Sequence, residues 1–504
     1  MAAPAAPPSV HPVDEVPPAR QLAAFGLQHV LAMYAGAVAV PLIVGGAMKL
    51  SPADLAYLIT ADLLVCGIAT LIQCVGVWRF GVRLPIVQGC TFAAVSPMVL
   101  IGTTGGGLPA IYGAVIVAGF AMMLLAPVFG RLLRFFPPLV TGTVILIIGV
   151  SLLPVAGNWA AGGAGSKDFG APRNVALAAF VLLVVLAAQR FAPPFLSRIA
   201  VLVGIVVGTA VAVPTGFTDF GGVGDAHWVG VSTPFHFGAP TFHGAAIVSM
   251  LIVALVTMTE TTGDFIAVGE MTDRPVEPRS LADGLRADGF STILGGVFNT
   301  FPYTAFAQNV GLVSLTGVRS RWVATAAGVI LVVLGLIPKV SAIVEGVPSA
   351  VLGGAGIALF GMVAASGIRT LTKVRFDNKN VLIVAISVGV ALLPTVAPTI
   401  YDQFPQWFTL IFDSGISAGA ITAILLNLLL NTEQMREARR ADPAISASDA
   451  VRGPAAAALV HPDAEGTGLI PTQVLSDELA AEQTGDGVPV DVSRIRDEDP
   501  NPGA

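Results

Sequence analysis

Apolar residues in this chain come in long unbroken runs, not in the alternation of a half-buried strand or the stripe of a surface helix. Crossing about 30 Å of hydrocarbon takes about 20 apolar residues as a helix, fewer where only half of a segment is helical. That ruler marks fourteen segments: 23–46, 54–76, 86–101, 108–129, 137–154, 174–192, 198–214, 244–268, 281–298, 306–317, 322–338, 348–366, 380–394 and 409–431. The third and tenth are short, and Pro85 and Pro302 precede them. A closed barrel alternates apolar and polar positions, so continuous runs exclude it. The pattern predicts an all-α polytopic membrane protein.

Composition agrees. Of 504 residues, 54% are hydrophobic and 12% charged, with a mean hydropathy of +0.80. Soluble domains carry about 25% charged residues, so this chain lacks the means to wet an exterior. The net charge of −6 is unevenly placed. Residues 432–504 hold 14 Asp and Glu against 6 Arg, a net of −8, which leaves 20 basic against 18 acidic residues, +2, in 1–431. The 432–504 segment is rich in Ala, Gly and Pro and reads as a disordered acidic cytoplasmic tail. Residues 1–20 are proline-rich without an apolar stretch, which predicts a disordered cytoplasmic leader, not a signal peptide. Cys66, Cys74 and Cys90 all fall inside apolar runs and read as small core residues, not as disulfide partners or metal ligands.

Basic residues test the map independently. With a cytoplasmic N-terminus, the internal connections carry fifteen Lys and Arg, from Arg79 and Arg83 through Arg131, Arg190, Arg198, Arg274 and Arg319 to Lys379. The external ones carry four, Lys49, Lys167, Arg173 and Lys339, and the 215–243 connection has none. The positive-inside rule therefore predicts fourteen crossings with both termini in the cytoplasm; the expected location is a bacterial-type plasma membrane. The halves also echo one another: LPIVQGCTFAAVSPM (84–98) and FPYTAFAQNVGLVSL (301–315) stand at matching places in a seven-plus-seven count. Interrupted short spans at corresponding positions mark a midplane binding site between inverted repeats, although a pair of ordinary kinked helices gives the same pattern.

An ionisable side chain at mid-bilayer costs about 2.5–3.5 kcal/mol on insertion scales, so each needs a reason. The candidates in the spans are few: His29, Asp62, Glu260, Asp264, Asp288 and Asp413. Glu260 and Asp264 are four apart and share a helix face. Two adjacent buried carboxylates cannot both ionise cheaply, which makes one of them a proton carrier. The bland alternative ends the helix here and pairs both acids with arginines such as Arg274. Glu260, however, lies about 20 Å short of that loop by helical rise. Gln308 and Asn309 bring primary amides to the mouth of the short tenth span, and an amide bonds two adjacent edge atoms of a flat heterocycle. Phe306 lies two residues earlier and Phe92 stands in the matching third span, placed to stack on a planar ligand; with 26 Phe in the chain, core or lipid-facing roles compete with that reading. Half-helices starting at both places would aim their positive N-termini at one spot.

QNVGLVSLTG (308–317) resembles the signature of the nucleobase–ascorbate transporter family (nucleobase–cation symporter-2), Q/E/P-N-x-G-x-x-x-x-T followed by Arg, Lys or Gly, at Gln308, Asn309, Gly311, Thr316 and Gly317. GLQHVLAMY (26–34), TETTGDF (259–265) and ADGFS (287–291) resemble that family's first, eighth and ninth spans, in order, and the likeness covers about residues 20–431. The resemblance implies fourteen spans in two inverted seven-helix repeats, usually dimeric, within a transporter domain of residues 21–431. A core would take about 21–130 and 244–340, and a gate about 131–243 and 341–431. It further implies a nucleobase substrate and, in bacterial members, proton drive.

Matched position by position, Glu260 looks like the carboxylate that holds ring N–H groups, and Gln308 like the residue that completes recognition. His29, Asp264 and Asp288 match positions tied to coupling or site organisation. Uracil-type members commonly have glutamate where Gln308 stands and histidine where Thr261 stands, so both departures favour a purine. Thr91, before Phe92, looks like the uric-acid-type branch. The expectation is a proton-coupled importer of uric acid or xanthine that binds through Glu260, Gln308, Phe92, Phe306, Thr91 and Asn309. It needs no resident cofactor or metal, with sodium an alternative coupling ion. Its partners are a purine, membrane lipid and a second copy of itself, not nucleic acid. The rivals are a uracil permease, an anion exchanger of related fold, a channel, and an intramembrane enzyme. TTGDF lacks the first glycine of the aspartyl-protease G-x-G-D, and H-E-x-x-H is absent, so enzyme chemistry is not expected.

Overall fold

The computed structural model describes residues 10–431 except 219. The acidic tail 432–504 and residues 1–9 of the leader lie outside the described residues. Each of the fourteen apolar segments contains an α-helix. The first half of the chain holds α1 (Ala19–Ala47), α2 (Pro52–Val75), strand β1 (Gln88–Cys90), α3 (Val95–Ile101, led in by a 3₁₀ turn at Phe92–Ala94) and α4 (Gly107–Leu125). It continues with α5 (Pro138–Ala160), α6 (Pro172–Phe191) and α7 (Ala200–Ala212). The second half holds α8 (Gly244–Met271), α9 (Pro278–Val297), strand β2 (Tyr303–Ala305) and α10 (Ala307–Thr316). Then come α11 (Arg321–Leu334), α12 (Ser349–Leu371), α13 (Asn378–Val396) and α14 (Gly415–Leu430).

By length and composition, 8 of these helices can cross a membrane, or up to 10 if two bent pairs each count as one span. The bent pairs are α11 with Pro338–Glu345, at 82°, and Gln406–Phe412 with α14, at 80°. α9 misses the test because Arg279, Asp283, Arg286 and Asp288 all lie on it. α10 misses by length: its 10 residues rise about 15 Å, half the hydrocarbon thickness. Extended chain supplies the rest of that segment, since three strand residues add about 10 Å. Gly317, left-handed at φ 64°, stops α10, and its N–H bonds to Val313 O.

The helices pack in two groups. α2, α9 and α11 gather around the strand pair with α1, α4 and α8, while α5, α6, α7, α12, α13 and α14 pack chiefly on each other. Glycine sets the tightest contacts, as expected where lipid gives helices no hydrophobic reason to associate. A Cβ on Gly119 of α4 would stand 2.6 Å from Gly289 O of α9, and one on Gly149 of α5 would stand 2.3 Å from Ala364 N of α12.

The leader departs from expectation. From residue 10 it is packed, not disordered: Val13 is fully buried, its carbonyl accepts from Arg321 N at 2.9 Å, and Glu15 O accepts from Ser320 Oγ at 2.6 Å. Asp14 explains this, because it forms ion pairs with Arg274 at 2.9 Å and Arg321 at 2.7 Å. Composition hides such an anchor, since a single acid in a proline-rich run finds its partners about 260 and 300 residues away. Arg274 is thereby taken up by Asp14 rather than by the acids of α8.

Candidate functional site

Two three-residue strands tie the site together. β1 and β2 pair antiparallel, with Gln88 opposite Ala305, Gly89 opposite Thr304 and Cys90 opposite Tyr303. Bonds from Thr91 N to Pro302 O (2.9 Å) and from Phe306 N to Val87 O (3.0 Å) lengthen the ribbon at both ends. α10 and the 3₁₀ lead-in to α3 thus spring from opposite ends of one ribbon, each presenting the positive end of its backbone dipoles at its start. Thr91 caps the lead-in, its hydroxyl accepting from Ala93 N at 3.2 Å.

Phe92 and Phe306 follow the two strands, and the ribbon brings their rings together: centroids 6.3 Å apart, planes within 7°. Both are buried, and Phe92 also meets Phe360 of α12 edge-on at 5.9 Å, joining the two helix groups. Gly36 of α1 backs the pair, and a Cβ there would lie 3.5 Å from Phe306 and 3.7 Å from Phe92. Gly89 is covered by the Phe306 ring, at 2.5 Å from an added Cβ, so this strand position tolerates no side chain.

α8 is fastened to β2 one residue after Glu260. The Thr261 hydroxyl lies 2.8 Å from that of Thr304 and accepts from Ala305 N at 3.2 Å. This bolt sets the depth of Glu260, which is half-buried and receives no protein hydrogen bond among the described residues. Asp264 lies one turn on, and its Oδ2 is buried without a partner among the described residues. Asp288 of α9 is fully buried and accepts from the Gln73 amide of α2. Gln73 also donates to Gly284 O at 2.8 Å and accepts from Val82 N at 3.0 Å, so it locks α2 to α9 while bonding the acid.

The two amides of α10 diverge. Asn309 is buried and turned to α1, its Nδ2 3.0 Å from both Nδ1 and the backbone O of His29. Gln308 is half-exposed and lines a cavity of about 280 Å³ between α1 and α10 on one side and α6, α7 and α12 on the other. Glu260 does not line that cavity. The structure thus gathers Phe92 with Phe306, Asn309 with His29, and Glu260, Asp264 and Asp288 with one another.

Three further residues belong to this architecture. Asp62 is among the buried acids visible in the sequence; in the fold it is the hub beneath the ribbon. Its Oδ1 accepts from Cys90 Sγ (2.7 Å) on β1, Tyr303 Oη (2.8 Å) on β2 and Thr300 Oγ1 (2.9 Å). Cys66 and Cys90 are thus buried free thiols hydrogen-bonded to Asp62, consistent with small core residues. Gln73 and Gln88 stand out less in sequence. Gln88 is fully buried beside Asp288 with neither amide atom bonded, and a lone Gln inside LPIVQGC is the only signal that points to it.

Residues 20–400 match the model of the Permease family. The xanthine permease of Bacillus subtilis (strain 168) is 50% identical over 410 residues, covering 81% of this chain and 93% of its own length. Uric acid permease PucK of the same strain is 48% identical over 424 residues, covering 83% and 98%. Among solved structures, the transmembrane domain of the cyanobacterial bicarbonate transporter BicA superposes with a TM-score of 0.54 over 83% of this chain and 100% of that one. At 16% identity that is a likeness of fold alone. A broken-helix ribbon between two helix groups, a family match across most of the length and near-complete coverage of both relatives agree: this chain belongs to the Permease family.

Proposed function

We propose that this protein imports a purine nucleobase, uric acid or xanthine, by proton-coupled transport across the plasma membrane. A permease moves its substrate unchanged, so the buried acids bind and couple; they do not catalyse. The observation that carries the reading is the parallel Phe92–Phe306 pair at the roots of two half-helices. In this reading the two parallel ring faces part to take a flat heterocycle between them, each ring stacking on one side of it. Gln308, beside Phe306, satisfies the ring's edge atoms, and Glu260 takes its N–H groups. Thr91 and Asn309 hold the two half-helix starts that present these groups.

In this reading all fourteen helices traverse the membrane as two inverted repeats, α3 and α10 by a strand plus a half-helix. The strand-bearing group, about 21–130 and 244–340, is the core, and about 131–243 and 341–431 is the gate. The core rocks against the gate, and two copies associate as a homodimer. Asp14, paired with Arg274 and Arg321, supports a cytoplasmic N-terminus, because both arginines lie in connections the charge count puts inside. Protonation within the Glu260–Asp264–Asp288 set favours the loaded carrier.

Uptake of labelled uric acid or xanthine is expected to rise with an inward proton gradient and to vanish in Glu260→Gln. Accumulation that persists in a protonophore sinks the coupling claim. Competition by uracil stronger than by either purine sinks the purine claim.

A further inference from the structure

The cavity that Gln308 lines has a second polar end. On the core side it is bounded by Gln308 and by Gly36, the residue behind the Phe92–Phe306 pair. On the gate side it reaches Gln189 at the end of α6 and Ser197 and Arg198 in the connection to α7. The rest of its wall is mainly aliphatic. Arg198 lines the cavity, is half-buried and has no carboxylate partner among the described residues. Ser197 Oγ donates to Gln189 Oε1 at 3.4 Å, which leaves the Gln189 amide N–H groups directed elsewhere.

We propose that Arg198, with Gln189, forms a second purine subsite at the mouth of the path from the binding site, one that selects substrates carrying negative charge. This rests on the purine-transport reading and adds a substrate preference to it. A planar guanidinium matches the adjacent oxygens of an oxidised purine, and uric acid is an anion at neutral pH while hypoxanthine is neutral. Aliphatic walls lower the local dielectric, so a single cation acts over more of the cavity than it does at an open surface. A carrier that held the anion only between the aromatic rings would offer it no opposite charge, because the other ionisable groups there are carboxylates and one histidine. An alternative role, snorkelling of Arg198 to the interface, affects all substrates alike.

The test is uptake of uric acid and of hypoxanthine by Arg198→Gln, Arg198→Lys and wild type, with surface amounts matched. The ratio of kcat/KM for uric acid to that for hypoxanthine is expected to fall about fivefold in Arg198→Gln, through KM, and to recover only in part in Arg198→Lys, which restores the charge without the planar fork. If Arg198→Gln fails to reach the membrane, Gln189→Leu is expected to lower the same ratio. An unchanged ratio, with both substrates falling together or neither falling, overturns the subsite. A wild-type chain that accumulates neither purine refutes the transport reading itself, and the subsite with it.

Discussion

Asp62 and Gln308 show how differently two polar side chains in one membrane fold can be used. Asp62 is fully buried and accepts from Cys66, Cys90, Thr300 and Tyr303, so its removal takes their shared acceptor from four donors, of which Thr300 and Tyr303 keep each other. Each orphaned donor costs about 1–3 kcal/mol, so Asp62→Ala is expected to destabilise the protein by about 3 kcal/mol or more. The check is the thermal midpoint of detergent-purified protein; a midpoint equal to wild type shows that the hub holds nothing. Gln308 accepts and donates nothing to protein among the described residues and faces a cavity. Gln308→Ala is therefore expected to leave the midpoint alone while cutting uptake at least tenfold. Its neighbour Asn309 bonds His29 twice, so Asn309→Ala is expected to lower both, by about 1–2 kcal/mol in stability. Equal stability losses in the two alanine variants contradict the division of labour between these adjacent amides.

At the scale of elements, close helix approach depends on glycine, and the effect is local enough to measure. On Gly289 a Cβ would stand 2.7 Å from Gly119 O of the facing helix, whereas one on Gly361 meets nothing within 4 Å. Gly289→Val is expected to force α4 and α9 apart at a cost of about 1–3 kcal/mol. Gly361→Ala is expected to gain about 0.5–1 kcal/mol by stiffening the unfolded chain and favouring helix. Thermal midpoints of both variants decide this, and Gly289→Val as stable as wild type removes glycine from the packing account. The same scale shows what a sequence reveals. Helices are legible because a run of 20 apolar residues fits one use in a membrane. Strands β1 and β2 are not, since QGC and YTA are too short to show any period. Only the prolines before them, Pro85 and Pro302, mark the interruption. The acids of α8 and α9 are conspicuous because charge in an apolar run is costly, whereas the neutral amides of Gln73 and Gln88 are cheap to insert and pass unnoticed. The ordered leader escapes for another reason: its partners Arg274 and Arg321 are remote in sequence.

Across the whole molecule, both ends of the strand-bearing group are strapped. At one end residues 10–18 cover the start of α11 and, through Arg321 bonded to Val75 O, the end of α2. At the other end the 215–243 connection stacks His236 on Tyr57 of α2 at 3.9 Å, and Gly230 N bonds Leu336 O beyond α11. Straps at both ends tie these helices to one another, as the proposed rocking of a core against a gate requires. If α2 and α11 both traverse the membrane, the straps lie on opposite sides of it, and this can be read chemically. Cys66, Cys74 and Cys90 are buried, so new cysteines report against a silent background. Trp78→Cys, at a site 80% exposed in the connection after α2, is expected to react with a membrane-impermeant maleimide only in permeabilised cells. Val229→Cys, at a site 76% exposed in the 215–243 connection, is expected to react in intact cells. Thr104→Cys, exposed between α3 and α4, decides the harder question. A single segment, strand plus half-helix, separates it from Trp78. Labelling of Thr104→Cys from outside means that this segment crosses; labelling only after permeabilisation means that α3 enters and returns, and the inverted seven-plus-seven arrangement then fails at its third member.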